Sequence, residues 1–221
     1  MNRLCPICED PFSLEFRFPL CKKCDLIMDP TPANGIYGDE YLLHYRLYEG
    51  NEFSAILMKK RLQFIEDTLD SLSGRSLLDY GCGADTFRRV MNTYYPSMGI
   101  FSYDPFFKKE HNFLKHLAGY NFFDIITFWD SFEHIRRLEI VPLLKGNYIF
   151  ITIPITDSLN DVNLENWKHY VPGEHVWYFS TQALVKLFEK WNYKLIAQSD
   201  FEEKLRSNGL KSFCFEHVED N

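Results

Sequence analysis

The sequence predicts an α/β fold in which a largely parallel central sheet, trimmed at one edge, follows a small metal-binding module. Three observations carry this prediction. Short, nearly continuous apolar runs alternate with segments of helical periodicity. One such run ends in a glycine turn, and four cysteines form two closely spaced pairs near the amino terminus. With 221 residues, 46% of them apolar, the chain can form a core of ordinary size.

The amino-acid composition limits the kinds of molecule that the protein is expected to bind. The formal charge of −7 disfavours nucleic acid, which is bound largely through Lys and Arg. No window approaches the roughly 18 apolar residues of a membrane helix, and the amino terminus lacks a signal-peptide pattern. We therefore expect a cytoplasmic protein with no membrane contact and a small-molecule partner. The sequence does not indicate which oligomeric state the protein has.

The amino-terminal module rests on four cysteines. Cys5 and Cys8 form one CxxC pair, Cys21 and Cys24 form a second, and twelve residues lie between the two pairs. Four thiolates in two such pairs favour a structural zinc ion over a redox pair or an iron–sulfur cluster. The residues between the pairs are too few to form a core, so metal binding would supply most of the folding energy. We predict a zinc ribbon over residues 1–35.

A linker and a leader helix are predicted for residues 36–75. Apolar residues recur there at spacings of four and three, which keeps them on one helical face. The members of this stripe are Met58, Leu62, Ile65, Leu69 and Leu72. The pattern ends at Ser73 and Gly74, so the helix is expected to end there and to pack on the sheet.

The remaining residues, 76–221, alternate between strand and helix patterns. We predict strands at 76–80, 98–103, 123–129, 147–153, 193–199 and 210–217, the last of them antiparallel. Helices are expected at 84–92, at 131–144 and after Ser180, which has the position of an N-cap. Only twenty residues separate Asp104 from Asp124, too few for the usual additional strand and its helices, and this predicts the trimmed edge.

Two strand ends carry the residues of a ligand site. The run from Leu77 to Asp79 enters the turn Gly81-Cys82-Gly83, where the lack of a Cβ allows unusual dihedrals and close approach of a ligand. The next strand ends at Asp104 and Pro105, and a carboxylate there can accept both hydroxyls of a ribose. Thr86 stands where a dinucleotide fingerprint requires glycine, so a nicotinamide enzyme is only the runner-up.

This order of motifs resembles class I methyltransferases that use S-adenosylmethionine. The resemblance implies that Asp79 lies near the methionine amino group and that Gly81, Cys82 and Gly83 face the cofactor. It also implies a ribose site at Asp104 and Pro105. The chain departs from the family pattern at Asp85, where a third glycine is usual. The cysteine-rich head and the tyrosine-rich segment 37–48 resemble the zinc-binding leader of bacterial methyltransferases acting on sugars or other small metabolites.

The segment from Phe123 to Ile135 resembles the fourth-strand motif of the same enzymes, which often ends in Glu-His. The resemblance implies that Trp129 and Asp130 border the cofactor and that His134 faces the transferred methyl group. Two alternatives stay open for the acidic residues. Asp130 and Glu133 have the spacing of a capping box, whereas a related ubiquinone-type family uses a similar acid-x-x-Glu-His set to hold a divalent metal.

His134 and His175 are the candidate catalytic residues. His175 lies in an aromatic segment after the predicted strand at 147–153, where this fold inserts its substrate-facing cap, and could meet His134 across the pocket. One of the two would then act as a general base. We predict an S-adenosylmethionine-dependent methyltransferase acting on a small hydroxylated metabolite, such as a sugar or nucleotide-sugar. The alternatives are an RNA or protein methyltransferase recruited through the zinc module and a degenerate S-adenosylmethionine-binding protein.

Overall fold

The computed structural model describes residues 4–32, 43, 51–106, 117, 122–157, 161–206 and 209–219. The predicted tyrosine-rich segment and most of the predicted linker lie outside these residues. The strands are β1 (Leu20–Cys21), β2 (Leu26–Met28), β3 (Ser76–Tyr80), β4 (Gly99–Tyr103), β5 (Phe123–Trp129), β6 (Gly146–Pro154), β7 (Trp177–Phe179), β8 (Tyr193–Ser199) and β9 (Leu210–His217). The helices are α1 (Glu52–Thr68), α2 (Thr86–Tyr94), α3 (Thr181–Lys190) and α4 (Phe201–Leu205).

The main sheet has six described strands in the order β4-β3-β5-β6-β9-β8. The first four are parallel, and β9 is antiparallel to both of its neighbours. All six predicted strands are therefore confirmed, as is the antiparallel direction of the last one. Within the described residues β4 forms the edge of the sheet. Most of the segment between β4 and β5, on which the predicted trimming depends, lies outside the described residues. Because β3, β4 and β5 are parallel and adjacent, their carboxyl ends lie side by side.

The leader helix is shorter than predicted. Helix α1 ends at Thr68, and Leu69 already has an extended backbone. The Thr68 hydroxyl donates back to the carbonyl of Phe64, a bond that competes with continued helix. Leu69 and Leu72 are nevertheless buried with the rest of the predicted stripe. The periodicity therefore identified the buried face correctly, although it placed the end of the helix too late.

The predicted helix at 131–144 is wrong. The chain forms two 3₁₀ segments there, Phe132–His134 and Leu138–Leu143, with Pro142 inside the second. A 3₁₀ helix has three residues per turn, and the apolar side chains buried along this stretch recur at that interval. They are Phe132, Ile135, Leu138, Val141 and Leu144. This spacing of three, visible in the sequence, is the signal that favoured 3₁₀ geometry over an α-helix.

A second, three-stranded sheet joins the cysteine-rich head to the rest of the protein. Strand β2 pairs antiparallel with β1 on one side and with β7 on the other. The buried Cys5, Cys21 and Cys24 belong to the same core cluster as Trp177 and Phe179 of β7. The head is thus built into the main body through a strand that lies 150 residues further along the chain.

Helix α3 begins as predicted. The Ser180 side chain accepts a hydrogen bond from the amide of Ala183, 3.1 Å away, and so caps the helix. Leu184, Leu187 and Phe188 are buried on the predicted face. In the part of the chain with described coordinates, none of the helices combines the length and the hydropathy that crossing a bilayer requires.

Candidate functional site

The glycine turn follows β3 directly. Gly81 and Gly83 both have positive φ, at 75° and 54°, a region that favours glycine. The amide of Gly81 donates to the carbonyl of Tyr103, 2.7 Å away, which ties the turn to the end of β4. A Cβ on Gly81 would lie 2.4 Å from the Cβ of Ser131. The bare backbone of Gly81 therefore makes room for the protein's own Ser131 as well as permitting the turn.

Asp79 lies at the penultimate position of β3 and is 2% exposed. Its carboxylate accepts a 2.7 Å hydrogen bond from the hydroxyl of Thr127 on β5. Burial raises the pKa of Asp79 to about 7, and repulsion from the carboxylates of Asp85 and Asp104 adds to the effect. The site therefore gathers three acids with little solvent, an arrangement that favours a cationic ligand.

Asp104 follows β4 and holds the turn together. One carboxylate oxygen accepts from the amide of Gly83 at 3.1 Å, and the other accepts from the amide of Phe106 at 2.8 Å. Each oxygen of a carboxylate can accept two hydrogen bonds, so these backbone contacts are compatible with a contact to a ligand hydroxyl. Pro105, the neighbouring residue, is half-buried.

Asp85 replaces the glycine that the resemblance leads one to expect, and it takes the same left-handed backbone, with φ at 66°. Its carboxylate accepts from the Arg88 guanidinium at 2.8 and 3.0 Å and from the hydroxyl of Ser102. These bonds offset the cost of a non-glycine residue in this region. An arginine three residues after the acid was the available sequence signal for this pairing.

Cys82 is a half-buried residue of the same turn. Burial raises the pKa of its thiol, and the nearby carboxylates of Asp79, Asp104 and Asp85 raise it further. Cys82 is therefore a neutral thiol at physiological pH rather than a reactive thiolate.

At the end of β5 the predicted capping box of Asp130 and Glu133 does not form, so that prediction is wrong. The N-cap position of the first 3₁₀ segment is Ser131, and its side chain makes no capping bond. The carboxylate of Asp130 instead lies 2.6 Å from Nη2 of Arg61 and 2.8 Å from Nη1 of Arg206. Glu202, which is fully buried, pairs with the same two arginines at 2.6 and 2.5 Å. We call Arg61, Asp130, Glu202 and Arg206 the arginine–carboxylate cluster.

Sequence reasoning missed both arginines and Glu202. Arg61 is 5% exposed on α1, and its guanidinium lies 5.1 Å from the ring centroid of Trp129. It thus brings a positive charge to the tip of β5, beside the glycine turn. A charged residue within the apolar face of α1 was the only sequence signal, and its partner Glu202 lies 141 residues away.

His134 and His175 meet, as the sequence predicted they could. Their ring centroids are 4.6 Å apart and the rings are perpendicular. His134 ends the first 3₁₀ segment, and His175 is placed by the bond from the Val176 amide to the Glu133 carbonyl, 2.9 Å long. Burial lowers the pKa of His134 to about 4 and that of His175 to about 3, so both are neutral at pH 7.

Glu133 lies beside the histidine pair and is 2% exposed. Burial raises the pKa of its carboxyl group, and the charge of Asp130 raises it further. One ligand atom each from Glu133, His134 and His175 lies within 4.8 Å of the other two. Asp130 is not in this group, so the predicted set of Asp130, Glu133 and His134 does not come together as a metal site.

The four cysteines of the head converge. Their sulfur atoms all lie within 4.8 Å of one another, and the sulfurs of Cys8 and Cys21 are 3.6 Å apart. Tetrahedral zinc with Zn–S bonds of about 2.3 Å requires sulfurs about 3.8 Å apart. The residues therefore fit a zinc ion.

The two CxxC pairs have the same backbone design. The residue after each pair, Glu9 or Asp25, has positive φ, at 63° and 59°. The amide of Glu9 donates to the carbonyl of Cys5 at 2.9 Å, and that of Asp25 donates to the carbonyl of Cys21 at 2.8 Å. Each pair is thus a tight turn that directs two thiols to one side.

Comparison with known proteins agrees with this architecture. A sequence model described as a methyltransferase domain matches residues 51–198, well over half of the chain. No curated protein sequence matches the chain. Magnesium protoporphyrin IX methyltransferase from Synechocystis PCC 6803, solved with bound S-adenosylhomocysteine, is similar with a TM-score of 0.56 and 12% identity. That likeness covers 83% of this chain and 96% of that one.

Two further structures are similar. The first is an S-adenosylmethionine-dependent methyltransferase from Archaeoglobus fulgidus, with a TM-score of 0.54, 18% identity and coverage of 80% of this chain and 100% of that one. The second is 1,6-didemethyltoxoflavin-N1-methyltransferase from Burkholderia thailandensis, with a TM-score of 0.53, 11% identity and coverage of 81% and 84%. At these low identities the similar structures establish the fold alone. The family model covers most of the main sheet and establishes the family. The chain therefore belongs to the methyltransferase-domain family and is a methyltransferase.

Proposed function

We propose that the protein transfers a methyl group from S-adenosylmethionine to a small hydroxylated metabolite, such as a sugar or a nucleotide-sugar. The observation that carries the proposal is the acidic site around the glycine turn. Asp79, Asp85 and Asp104 lie close enough that the last two raise the pKa of the first. S-adenosylmethionine brings a sulfonium and an ammonium group, and such a cationic ligand would relieve the repulsion between these acids.

Individual roles follow from position. We assign Asp79 to the amino group of the cofactor and Asp104, with Pro105, to its ribose. The backbone of Gly81, Cys82 and Gly83 then approaches the cofactor between these acids. This arrangement agrees with a general property of open α/β sheets, which bind ligands at the carboxyl ends of their strands.

Trp129 and Asp130 stand at the tip of β5, and we assign them to the border of the methionine end. Asp130 already pairs with Arg61 and Arg206. Its role is therefore to position these arginines beside the cofactor rather than to accept a hydrogen bond from it.

The methyl donor, when bound, supplies an electrophilic methyl group on a positively charged sulfur. The protein has to hold the acceptor in line with that group, and positioning of this kind can contribute about 7–11 kcal/mol to lowering a barrier. His134 and His175 are neutral, so a ring nitrogen of either can accept a hydrogen bond from a hydroxyl acceptor and orient it. Burial lowers the pKa of both, which weakens them as general bases. We therefore place the acceptor against this pair.

The cysteine head has a structural role in this proposal. Zinc held by Cys5, Cys8, Cys21 and Cys24 would stabilise β2 and, through it, β7 next to His175. A site of four reduced thiols also suits the cytoplasm, where thiols are kept reduced. The acidic net charge of −7 favours a small-molecule acceptor over RNA.

Calorimetry with S-adenosylhomocysteine tests the proposal. We expect the wild-type protein to bind, and Asp79→Ala and Asp104→Ala each to weaken binding by about tenfold or more, since each removes a charged hydrogen-bond acceptor. Asp124→Ala is the matched control, because Asp124 binds the Ser76 amide and hydroxyl at the opposite end of the strands. Failure of the wild type to bind millimolar ligand, or unchanged affinity in both variants, would contradict the proposal.

A further inference from the structure

The cluster of Glu133, His134 and His175 has the composition of a metal site. Each residue offers one ligand atom, and the three atoms lie within 4.8 Å of one another. Nε2 of His134 is 4.0 Å from a carboxylate oxygen of Glu133. Two imidazoles and one carboxylate form a ligand set used for zinc and other first-row transition ions, with positions left open for further ligands.

Two polar atoms of this cluster lack a hydrogen-bond partner within the described part of the chain. They are Oε2 of Glu133 and Nδ1 of His175, and both atoms are buried. Glu133 is 2% exposed and His175 is 9% exposed. Burying a polar group without a partner costs free energy, and for a carboxylate the cost is large. Two such atoms in residues whose ligand atoms cluster within 4.8 Å therefore indicate a bound ligand.

The outer contacts of the two histidines support the same conclusion. The His134 ring bonds to the backbone carbonyl of Glu174, and the His175 ring bonds to that of His169. In His175 the donor must be Nε2, because Nδ1 has no partner. A histidine that ligates a metal commonly donates its other ring N–H to a carbonyl, which sets the tautomer and aims the free nitrogen at the ion.

We propose that Glu133, His134 and His175 bind a divalent transition-metal ion such as Zn²⁺ in a second metal site, separate from the four cysteines. The ligand set differs from one built on Asp130, because that carboxylate is held by Arg61 and Arg206.

The location gives the ion a role within the proposed function, on which this part of the inference rests. Ser131, two residues before Glu133, packs against Gly81 of the glycine turn. An acceptor oxygen bound at an open position of the ion would therefore lie at the same edge of the sheet as the proposed cofactor. In the loaded protein the two imidazoles would serve as ligands. The ion would then orient the acceptor hydroxyl and lower its pKa, so that its proton could leave to solvent.

Metal titration tests the site without any knowledge of the acceptor. The zinc-containing protein is titrated with Co²⁺, and the bound metal is counted by mass spectrometry. We expect a second ion per chain, with the weak visible absorption of nitrogen and oxygen ligands and without the intense near-ultraviolet band that cobalt–thiolate bonds produce. We also expect the histidine ring signals of the wild type to broaden in NMR spectra.

Variants assign the ligands. Glu133→Gln and His175→Asn should each weaken Co²⁺ binding by about 100-fold or more, because loss of even an outer contact costs 10–100-fold at metal sites. Glu189→Gln and His217→Asn are the matched controls and should bind normally, because both residues lie outside the cluster. Circular dichroism checks that each variant folds, and the wild-type NMR result stands whether or not a variant does.

Two results would overturn the inference: a stoichiometry of one ion per chain in the wild type, or a second ion whose affinity is the same in all four variants. Calorimetry with S-adenosylhomocysteine on the same samples separates the two proposals. Cofactor binding with no second metal removes the metal site alone, and leaves the two histidines to contact the acceptor directly. Metal binding with no cofactor binding removes the proposed function and leaves the site.

Discussion

Two clusters of polar side chains in this protein are assembled in opposite ways. The cysteine cluster gathers its four thiols from 20 consecutive residues, 5–24, and the sulfurs that lie 3.6 Å apart are 13 residues apart in the chain. The arginine–carboxylate cluster joins Arg61 to Glu202, 141 residues away. Short-range turns bring the first together, whereas the second forms only when α1, β5 and α4 have packed. The contrast teaches that a site can be read from sequence when local geometry alone assembles it.

The largest expected effect comes from breaking the local cluster. Cys21→Ser removes one thiolate from the proposed zinc site, where metal binding can contribute about 10–16 kcal/mol of apparent folding free energy. We expect loss of the zinc ion and a lower melting temperature, because β2 would no longer be held against β7. Zinc content and thermal melting measure the effect.

Cys82→Ser is the control for that substitution, since Cys82 lies in the glycine turn outside the cluster. Full zinc content in Cys21→Ser would show that the ion, if present, does not depend on this cysteine.

Breaking the long-range cluster should have the next largest effect. Arg61→Met leaves Glu202, fully buried, with Arg206 as its remaining partner. Removing one partner of a buried ion pair costs about 3–5 kcal/mol. Urea unfolding measures this loss of stability.

A double variant sharpens the same measurement. Arg61→Met combined with Glu202→Leu should be more stable than Arg61→Met alone, because no uncompensated carboxylate stays buried. Equal or lower stability of the double variant would mean that the cluster is not held together by charge pairing.

Gly81→Ala tests the contact between two parts of the site. The new Cβ would lie 2.4 Å from the Cβ of Ser131, at a φ of 75°. Strain in this backbone region costs about 1–3 kcal/mol, and overpacking adds a comparable amount. We expect a loss of about 2–4 kcal/mol in the free energy of unfolding.

Gly99→Ala is the matched control, because its Cβ would meet side chains no closer than 3.5 Å, an ordinary contact. If the two substitutions cost the same, the packing of Ser131 on Gly81 would not be a determinant of stability.

The smallest expected effect is a pH dependence of cofactor binding. With its pKa raised to about 7, Asp79 is about half ionised at pH 7, and the ionised form is the one that binds an ammonium group. Lowering the pH from 7 to 6 should therefore weaken S-adenosylhomocysteine binding about fivefold. Calorimetry at the two pH values measures the change.

Asp79→Asn should bind more weakly and lose this pH dependence. The groups whose interactions bear on Asp79 are the carboxylates of Asp85 and Asp104, the Arg61 guanidinium and the Thr127 hydroxyl. The same fivefold change in Asp79→Asn would assign the titration to one of the other acids.

Most of the fold could be predicted because its strands are buried on both faces. Runs such as Phe123–Trp129 contain too many apolar residues in succession to be anything but interior strands or short buried helices. The glycine turn after Tyr80 marked the end of β3. The segment 131–144 could not be predicted in the same way. Its polar residues matched an α-helical cap, yet Asp130 was drawn into pairs with Arg61 and Arg206.

The sequence by itself determined the two CxxC turns, the positions of the strands along the chain, and the glycine turn between two acids. Each of these depends on dihedral preferences and apolar spacing over a few residues. Only the tertiary structure decided that β2 pairs with β7, that Arg61 reaches Glu202, and that His134 meets His175. These contacts join distant segments, and the free energy that selects them comes from burying whole elements against one another rather than from any local pattern.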